Sequence, residues 1–393
     1  MIQFDSSTFT LSRTGSLQRI FLVSGVIGLA LSVVAWFADS QHLYQSYLVA
    51  FAFWTTLALG MLFFTMLHHV TGAVWGLVIR RSSEAMMTVF PLLLLFFIPV
   101  VIGSHDLFHW THEEAVREDF LLQWKAPYLN FTFFVVRGVL FFAVWIALAV
   151  FLNRYSLAQD TGADPGAARR MRYLSAAGIV LYAISSTFAA FDWLMSLEPH
   201  WYSTIFGVYI FVGGFLAALT FMTLFFLFLR SKGAMGNVVT REHYHDLGRM
   251  IFAFTVFWAY IAGSQYFLIW YANIPEETSW FLTRWNDGWK TVSLVIIIFH
   301  FAVPFVVLVF HSTKQNLKVL GTVAGILLVM HYVDMYWIVM PNFTENVQLS
   351  WMDLVTFVGI GGLVMWRFII RYARSPLVPV KDPKLRQSIE HRV

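Results

Sequence analysis

Three ionisable side chains lie deep inside long apolar runs of this chain and have the chemistry of a proton relay. His331 and Asp334 are three positions apart in one run, so in a helix they share a face. His300 lies in the preceding run, four residues before Pro304, whose nitrogen cannot donate to the His300 carbonyl. Because the pKa of a histidine or a carboxylate can be brought near neutral pH, the set predicts proton transfer. The alternative is that the Asp334 side chain simply extends to the membrane surface and takes no part in proton transfer.

Phenol, hydroxyl and amide groups extend this prediction. Tyr260, Ser264 and Gln265 lie on neighbouring turns of one apolar run, and with water they would form a half-channel beside His300. Hydrogen bonding between helices is the alternative for this group. His69, near the end of another run, completes the predicted proton path, although a position at the membrane interface would weaken that role.

Arg137 lies well inside a further apolar run. A charged group at such depth needs an acid or an aqueous cleft beside it. Asp192, at the end of the next run, is the preferred partner, and Asp106 is the second choice. Two interpretations stay open for Arg137 and Asp192, namely a part in quinol binding and a buried ion pair that holds two helices together.

The segment GSHDLFHWTHEE, residues 103–114, contains three histidines. If it is helical, His105, His109 and His112 form a stripe with spacings of four and three residues. Such a stripe suits zinc coordination or a solvated amphipathic segment. It also suits the mouth of a quinone pocket, where His105 and Asp106 would accept the protons of an oxidised quinol. Of these alternatives zinc is the least favoured, and no metal site is predicted.

The absence of cysteine excludes several classes of chemistry. Disulfides, thiolate-ligated iron–sulfur clusters, cysteine zinc sites and cysteine nucleophiles all need a residue that this sequence lacks. A haem held by two histidines needs imidazoles at matching depth on facing helices, whereas His69, His300 and His331 lie at different depths. No phosphate-binding loop, dinucleotide fingerprint or nucleophile elbow occurs in a suitable context. We therefore expect no haem, no cofactor bound covalently or through cysteine, and no catalytic residue in this chain, whereas binding of a menaquinone or another quinol stays possible.

Membrane-spanning helices must position these groups. Of the 393 residues, 59% are apolar, 18% aromatic and 12% charged, and the mean hydropathy is +0.67. A typical soluble domain is about 25% charged, so a water-soluble globule is excluded. Apolar runs of about 20 residues predict an all-α integral membrane protein with ten transmembrane helices. The second run is so long that its helix must tilt strongly or project beyond the bilayer. The runs are 17–38, 43–79, 84–103, 127–152, 172–195, 201–229, 247–271, 289–310, 316–340 and 351–373.

The basic residues predict the orientation. Ten spans place both termini on one side of the membrane, and 21 of the 26 Lys and Arg residues fall in the loops and tails of that side. Positive residues stay in the cytoplasm, so both termini are predicted to be cytoplasmic. No basic cluster interleaves with aromatic residues as a nucleic-acid surface would, so we expect these residues to face lipid.

The order of the runs predicts the domain organisation. Residues 1–393 form a single membrane domain without a separate soluble part. The second to fifth helices and the sixth to ninth helices start from the same face, which suggests two four-helix bundles, residues 43–195 and 201–340. The first and tenth helices flank them, and a basic cytoplasmic tail, 374–393, follows.

Two stretches carry a resemblance to a known family. They are LGRMIFAFTVFWAYIAGSQYFLIWYANIPEETSWFLTRW, residues 247–285, and FDWLMSLEPHWYSTIFGVYIFVGGF, residues 191–215. Both resemble the NrfD-like, or polysulfide-reductase membrane-subunit, superfamily. Within it, they are similar to the F subunits of bacterial alternative complex III, a quinol:cytochrome c oxidoreductase.

The resemblance implies a place in a respiratory or photosynthetic electron-transport complex of the bacterial cytoplasmic (inner) membrane. The partners it implies are a sister NrfD-like subunit, an iron–sulfur subunit and c-type cytochrome subunits. In the superfamily the quinol site, for menaquinol or another quinol, faces the outer side of the first bundle, where this chain has His105, Asp106, Arg137 and Asp192. In alternative complex III quinol oxidation is assigned to the sister subunit. The resemblance therefore favours proton translocation or scaffolding here, with direct quinol binding and a purely structural anchor as alternatives.

Overall fold

The computed structural model describes residues 14–162, 166–235 and 238–391, and in these ranges it is helical with no strand. Ten of the described helices are long and apolar enough to cross a membrane, which confirms the all-α multi-pass fold. They are α1 (Gly15–Ala38), α2 (Ser40–Thr71), α3 (Arg80–Ile102), α4 (Phe131–Thr161), α5 (Ala167–Leu197), α6 (Phe206–Ser231), α7 (Arg241–Ala272), α8 (Gly288–Val309), α9 (Leu317–Asn342) and α10 (Trp351–Ala373).

The second helix is shorter than its apolar run. The sequence predicted one helix over 43–79, which is wrong, because α2 ends at Thr71 and Gly72 takes the left-handed conformation, with φ of 63°. A short 3-10 turn, Trp75–Val78, follows before α3 begins at Arg80. Apolar composition continues through the turn because the turn is itself buried, so hydropathy alone did not mark the helix end. Glycine adopts positive φ without steric cost, which explains the stop at this residue.

The helices pack as two rings of four with a shared centre. In the first ring α2 contacts α3 and α5, and α4 contacts both of these. In the second ring α6 contacts α7 and α9, and α8 contacts both of these. The helices α2 and α6 lie against each other and are the most buried of the ten. The rings therefore meet along α2 and α6.

Close contact between α2 and α6 depends on small residues. A Cβ atom on Gly60 would lie 2.4 Å from the backbone oxygen of Gly214, and a Cβ atom on Gly214 would lie 2.7 Å from the backbone oxygen of Thr56. Side chains at these two glycines would push the helices apart, as expected for small residues at membrane helix contacts.

The flanking helices and the tail complete the fold. The helices α1 and α10 pack along each other, and α10 also packs on α2. The tail 374–391 crosses the ends of several helices, with the Lys384 ammonium donating to the Gly72 carbonyl over 2.8 Å and His391 Nε2 2.8 Å from the Asp246 carboxylate. We call this side of the molecule the tail face. The last two residues of the predicted tail lie outside the described residues.

Candidate functional site

Helix α9 carries the centre of a buried polar cluster in the second ring. His331 is 0% exposed and Asp334 is 1% exposed, so the carboxylate does not reach the surface, and the surface-reaching alternative is wrong. The two residues lie on one face of α9, which packs against α2 and α6. Five helices contribute to the cluster, whose members are Thr56, Tyr209, Trp258, His300, His331 and Asp334.

His331 joins the two rings. Its Nε2 atom lies 2.9 Å from the Thr56 hydroxyl on α2. That hydroxyl has a single hydrogen, and it donates to the backbone carbonyl of Ala52 at 2.8 Å, with the Phe53 carbonyl at 3.1 Å. The hydroxyl therefore accepts from Nε2, which fixes the imidazole tautomer and leaves Nδ1 as a bare acceptor.

Asp334 is held by a phenol and lacks a basic partner. The Tyr209 hydroxyl on α6 donates to Asp334 Oδ1. The Trp258 indole on α7 lies beside the same carboxylate, but its nitrogen completes no hydrogen bond among the described residues. None of the described lysine, arginine or histidine side chains forms an ion pair with Asp334 in the structure.

His300 extends the cluster through ring stacking. It lies in a π-helical segment of α8, Ile297–Ala302, immediately before the turn that contains Pro304. Proline cannot complete the regular hydrogen-bond ladder, and single π turns in helices are frequent at functional sites. The His300 ring stacks on Trp258 at 4.0 Å between centroids, and the Trp258 ring lies 5.8 Å from that of Tyr209.

Several ring nitrogens and carboxylate oxygens of the cluster could form hydrogen bonds that the described residues do not supply. Within the described part of the chain, His331 Nδ1, Asp334 Oδ2 and both nitrogens of His300 are buried without a partner. Buried polar atoms are usually paired, because an unpaired one costs about 1–3 kcal/mol. Such a set is suited to bind and release protons through water.

The structure separates the cluster from other residues of the predicted proton path. Tyr260 is 66% exposed on the outside of α7, and the Ser264 hydroxyl donates to the backbone carbonyl of Ile261. Gln265 accepts from the Ser203 hydroxyl at 2.9 Å. His69 lies near the tail-face end of α2, two residues before its last residue. Ser264 therefore bonds within its own helix and Gln265 bonds to the loop that precedes α6, so neither of these two bonds joins one helix to another.

Sequence reasoning missed three members of the cluster, Thr56, Tyr209 and Trp258. Each lies in an apolar run without a charged neighbour in sequence, so Tyr209 and Trp258 carried no local signal. The pair Thr55–Thr56 in the middle of the long second run was the one available hint.

The first ring contains a closed ion pair. Arg137 Nε donates to Asp192 Oδ2 at 2.6 Å and Nη2 donates to Oδ1 at 3.1 Å, so the preferred partner predicted from the sequence is the observed one. The Tyr128 hydroxyl also donates to Asp192 at 2.8 Å, and the guanidinium lies 3.8 Å from the centre of the Tyr128 ring. Both charged groups are satisfied, which supports the interpretation as a buried structural pair.

The histidine-rich segment does not form the single helix that a three-histidine stripe requires. It divides into Ser104–Leu107, a 3-10 turn at His109–Thr111 and Glu113–Glu118, because Phe108 and His112 are extended. The rings of His105 and His112 nevertheless lie 3.9 Å apart. Among the described residues no group of three or more potential ligands has the arrangement of a metal site.

A cavity of about 320 Å³ lies on the face opposite the tail and includes this segment. Its lining is largely polar and does not contain Arg137 or Asp192, so the four candidate quinol-binding residues fall into two separate places. The lining residues are Gln41, His105, Asp106, Leu107, Phe108, His109, His112, Leu197, Glu198, Pro199, His200, Asn342 and Phe343.

His200, which the sequence analysis did not single out, links two loops at this cavity. Its Nε2 lies 2.5 Å from Asp119 and its Nδ1 lies 3.2 Å from Glu198. The hydrogen bond to Asp119 raises the pKa of His200 and lowers the pKa of Asp119. Nearby, the Lys125 ammonium donates to the Pro199 carbonyl, and burial lowers the pKa of that lysine.

No protein-family model matches this chain, and no curated protein matches its sequence.

Proposed function

We propose that this chain is a membrane subunit of a quinol:electron-acceptor oxidoreductase complex, in which it holds no redox centre and provides a proton path through its second ring of helices. The observation that carries the proton path is the buried cluster centred on His331 and Asp334. The cluster combines an acid without a basic partner, two imidazoles with free nitrogens and a phenol in one continuous group.

Proton transfer needs groups that change protonation at modest cost. Asp334 has one oxygen bound by Tyr209 and one oxygen free, so it has room for a proton. His331 has one nitrogen engaged by Thr56 and one free, so it can accept a proton without breaking its existing bond. Intramembrane groups of this kind mark proton relays in membrane proteins.

The similarity of residues 191–215 and 247–285 to the NrfD-like superfamily supports the assignment to a quinol-oxidising complex. The partners in this proposal are a sister NrfD-like subunit, an iron–sulfur subunit and c-type cytochrome subunits in a bacterial inner membrane. Without cysteine the chain cannot ligate an iron–sulfur cluster through thiolates, so in this proposal the electrons pass through those neighbours.

Quinol oxidation is assigned to a neighbouring subunit in this proposal. A quinone ring is apolar and binding pockets for such ligands are mostly lined by apolar and aromatic side chains. The cavity beside His105 and Asp106 is lined mainly by polar groups, and Arg137 and Asp192 pair with each other elsewhere. Photocrosslinking with a labelled quinone tests this point, because an adduct on this chain would support the direct-binding alternative.

The experiment that tests the proposal uses the complex purified from native membranes through a tag on this chain. We expect quinol oxidation activity and c-haem absorption to co-purify with it. In proteoliposomes, the Asp334→Asn, His331→Ala double variant should turn over quinol with fewer protons moved per electron. Ser185→Ala, which removes a buried hydroxyl bound to Trp145 in the first ring, is the matched control and should leave the ratio unchanged.

Two outcomes would contradict the proposal. If the chain purifies without quinol oxidation activity, its assignment to a quinol-oxidising complex is wrong. An unchanged ratio of protons to electrons in the double variant would leave the chain as a structural anchor.

A further inference from the structure

We infer that the space above Gly213 of α6 is a binding site for a single water molecule, which bridges His331 Nδ1 and Asp334 Oδ2. A Cβ atom placed on Gly213 would lie 3.4 Å from His331 Nδ1 and 3.8 Å from Asp334 Oδ2. The two unpartnered atoms of α9 therefore face one point, and that point is open because residue 213 has no side chain.

The hydrogen bonds that His331 and Asp334 already form determine which kind of group can bind at this point. His331 Nε2 carries the imidazole hydrogen and donates to Thr56, so Nδ1 is an acceptor. Asp334 Oδ1 already accepts from Tyr209, and Oδ2 is a second acceptor when the carboxylate is ionised. A single group that bridges the two acceptors needs two hydrogens, and the Trp258 indole beside the same carboxylate has only one N–H.

Water meets this requirement better than the alternatives. The two side chains form no direct hydrogen bond with each other in the structure, so a proton on Asp334 alone does not connect them. A sodium or calcium ion prefers several oxygen ligands, whereas the three described atoms nearest to this point include one oxygen, Asp334 Oδ2, and two atoms of the His331 ring. One water molecule donates to both acceptors, and buried waters typically make about three hydrogen bonds.

The site also explains why residue 213 is glycine. Alanine would place a methyl group in ordinary contact with both side chains, so it would fit without a severe clash and would exclude the water. Serine would add a hydroxyl with one hydrogen, which can satisfy one of the two acceptors. The water site itself stands on this geometry, whereas its part in passing a proton between Asp334 and His331 rests on the proposed function.

The test compares Gly213→Ala and Gly213→Ser with Gly325→Ala in the intact complex. Gly325 lies in α9, and a methyl group added there would meet no atom of the described residues within 4 Å, so its alanine variant reports the gain in helix propensity alone. We expect Gly325→Ala to raise or keep the Tm of the complex, Gly213→Ala to lower it, and Gly213→Ser to lie between them. A Tm for Gly213→Ala at or above that of Gly325→Ala would overturn the inference.

A density map of the unaltered complex at a resolution that shows ordered waters gives a second, independent reading. We expect a water within hydrogen-bond distance of both atoms, and its loss in Gly213→Ala. An unoccupied space, or a direct contact between the two side chains, would overturn the site.

The ratio of protons to electrons separates this inference from the proposed function. A water in the map together with an unchanged ratio in Gly213→Ala would keep the site and remove its role in proton transfer. A stable Gly213→Ala variant, together with a reduced ratio in the Asp334 and His331 double variant, would remove the site and keep the function.

Discussion

Among the residues whose side chains the structure describes, each ring of helices contains one buried aspartate in the half of the molecule opposite the tail, and the surroundings of these two carboxylates differ. Asp192 receives two hydrogen bonds from Arg137 and one from Tyr128, so both of its oxygens are used. Asp334 receives one hydrogen bond, from Tyr209, and its other oxygen is free of described partners.

The second ring also has an arginine, but that arginine is used differently. Arg284, between α7 and α8, is 2% exposed and donates to the backbone carbonyls of Trp337 and Ile338 at the end of α9, at 3.1 and 2.7 Å. Its guanidinium also stacks 3.5 Å from the Trp280 ring centre. An arginine, an aspartate and a tyrosine are thus present near both sites, and only in the first ring do the three meet.

Because of this difference, we expect Asp192 to have a structural role and Asp334 to have a role in proton transfer. A carboxylate held between an arginine and a tyrosine has both oxygens occupied and joins α4 to α5. A carboxylate with one phenol donor and no basic partner is able to change its protonation state. The same substitution at the two aspartates should therefore have opposite consequences for stability and for function.

The largest effect is expected for Asp192→Asn. It leaves the guanidinium of Arg137 buried without a negative partner, and breaking a buried pair by removing one member costs about 3–5 kcal/mol. The free energy of unfolding, measured by denaturant titration in detergent micelles, should fall by that amount, or the chain should fail to accumulate in the membrane.

The control for this prediction removes both charges. The variant with Arg137→Leu and Asp192→Leu should recover most of the lost stability, since buried ion pairs are often replaceable by apolar residues. A double variant no more stable than Asp192→Asn would show that the pair itself is not the cause.

A smaller effect is expected for Arg284→Lys. Lysine keeps the charge but loses the planar fork that reaches two carbonyls of α9 and the stacking on Trp280. We expect a loss of about 2 kcal/mol in the free energy of unfolding. The exposed Lys290→Arg exchange serves as a control for a change of cation type and should be neutral. Equal stability of the two variants would mean that Arg284 acts through its charge alone.

Asp334→Asn should cost the least among the buried groups, about 1 kcal/mol or less. The amide oxygen still accepts from Tyr209, and no buried cation loses its partner. The same variant should nonetheless reduce proton transfer, because an amide does not exchange a proton as a carboxyl does. A loss of stability as large as that of Asp192→Asn would show that Asp334 is structural, and the comparison between the two rings would fail.

The sequence predicted those features that depend on short-range patterns. Ten apolar runs gave the ten helices, and the depth of Arg137 predicted a buried acid, with Asp192 the nearest suitable one. The spacing of His331 and Asp334 placed them on one face. In each case the information lies within one helix or two consecutive helices.

The remaining features depend on packing between distant helices. Thr56 meets His331 across 275 positions and Tyr209 meets Asp334 across 125 positions, and neither contact has a local pattern. The direction in which Tyr260 points was equally beyond prediction, because the apolar run that contains it is hydrophobic on all sides. An apolar residue faces lipid or core at similar cost in a membrane, so periodicity gives little orientation.

The smallest predicted effect concerns the exposed contact between His200 and Asp119, which lies outside the helices. The pKa of His200 is raised, so its stabilising effect is complete below the ordinary histidine pKa of about 6.5 and disappears as the pH rises through the raised value. The pKa of Asp119 is lowered, so its effect is present above the ordinary aspartate pKa of about 3.9 and disappears as the pH falls through the lowered value.

Hydrogen exchange of the loop segment 113–126 measures this contact, after correction for the intrinsic pH dependence of exchange. Protection should be greatest between about pH 4 and pH 6.5 and should decline toward alkaline pH. His200→Gln keeps a side chain of similar reach that does not titrate, so its protection should be flat above about pH 6.5. Because both side chains are partly exposed, the change should stay within this loop and leave the buried pair Arg137–Asp192 unaffected. The same alkaline decline in His200→Gln would assign the pH dependence to another group.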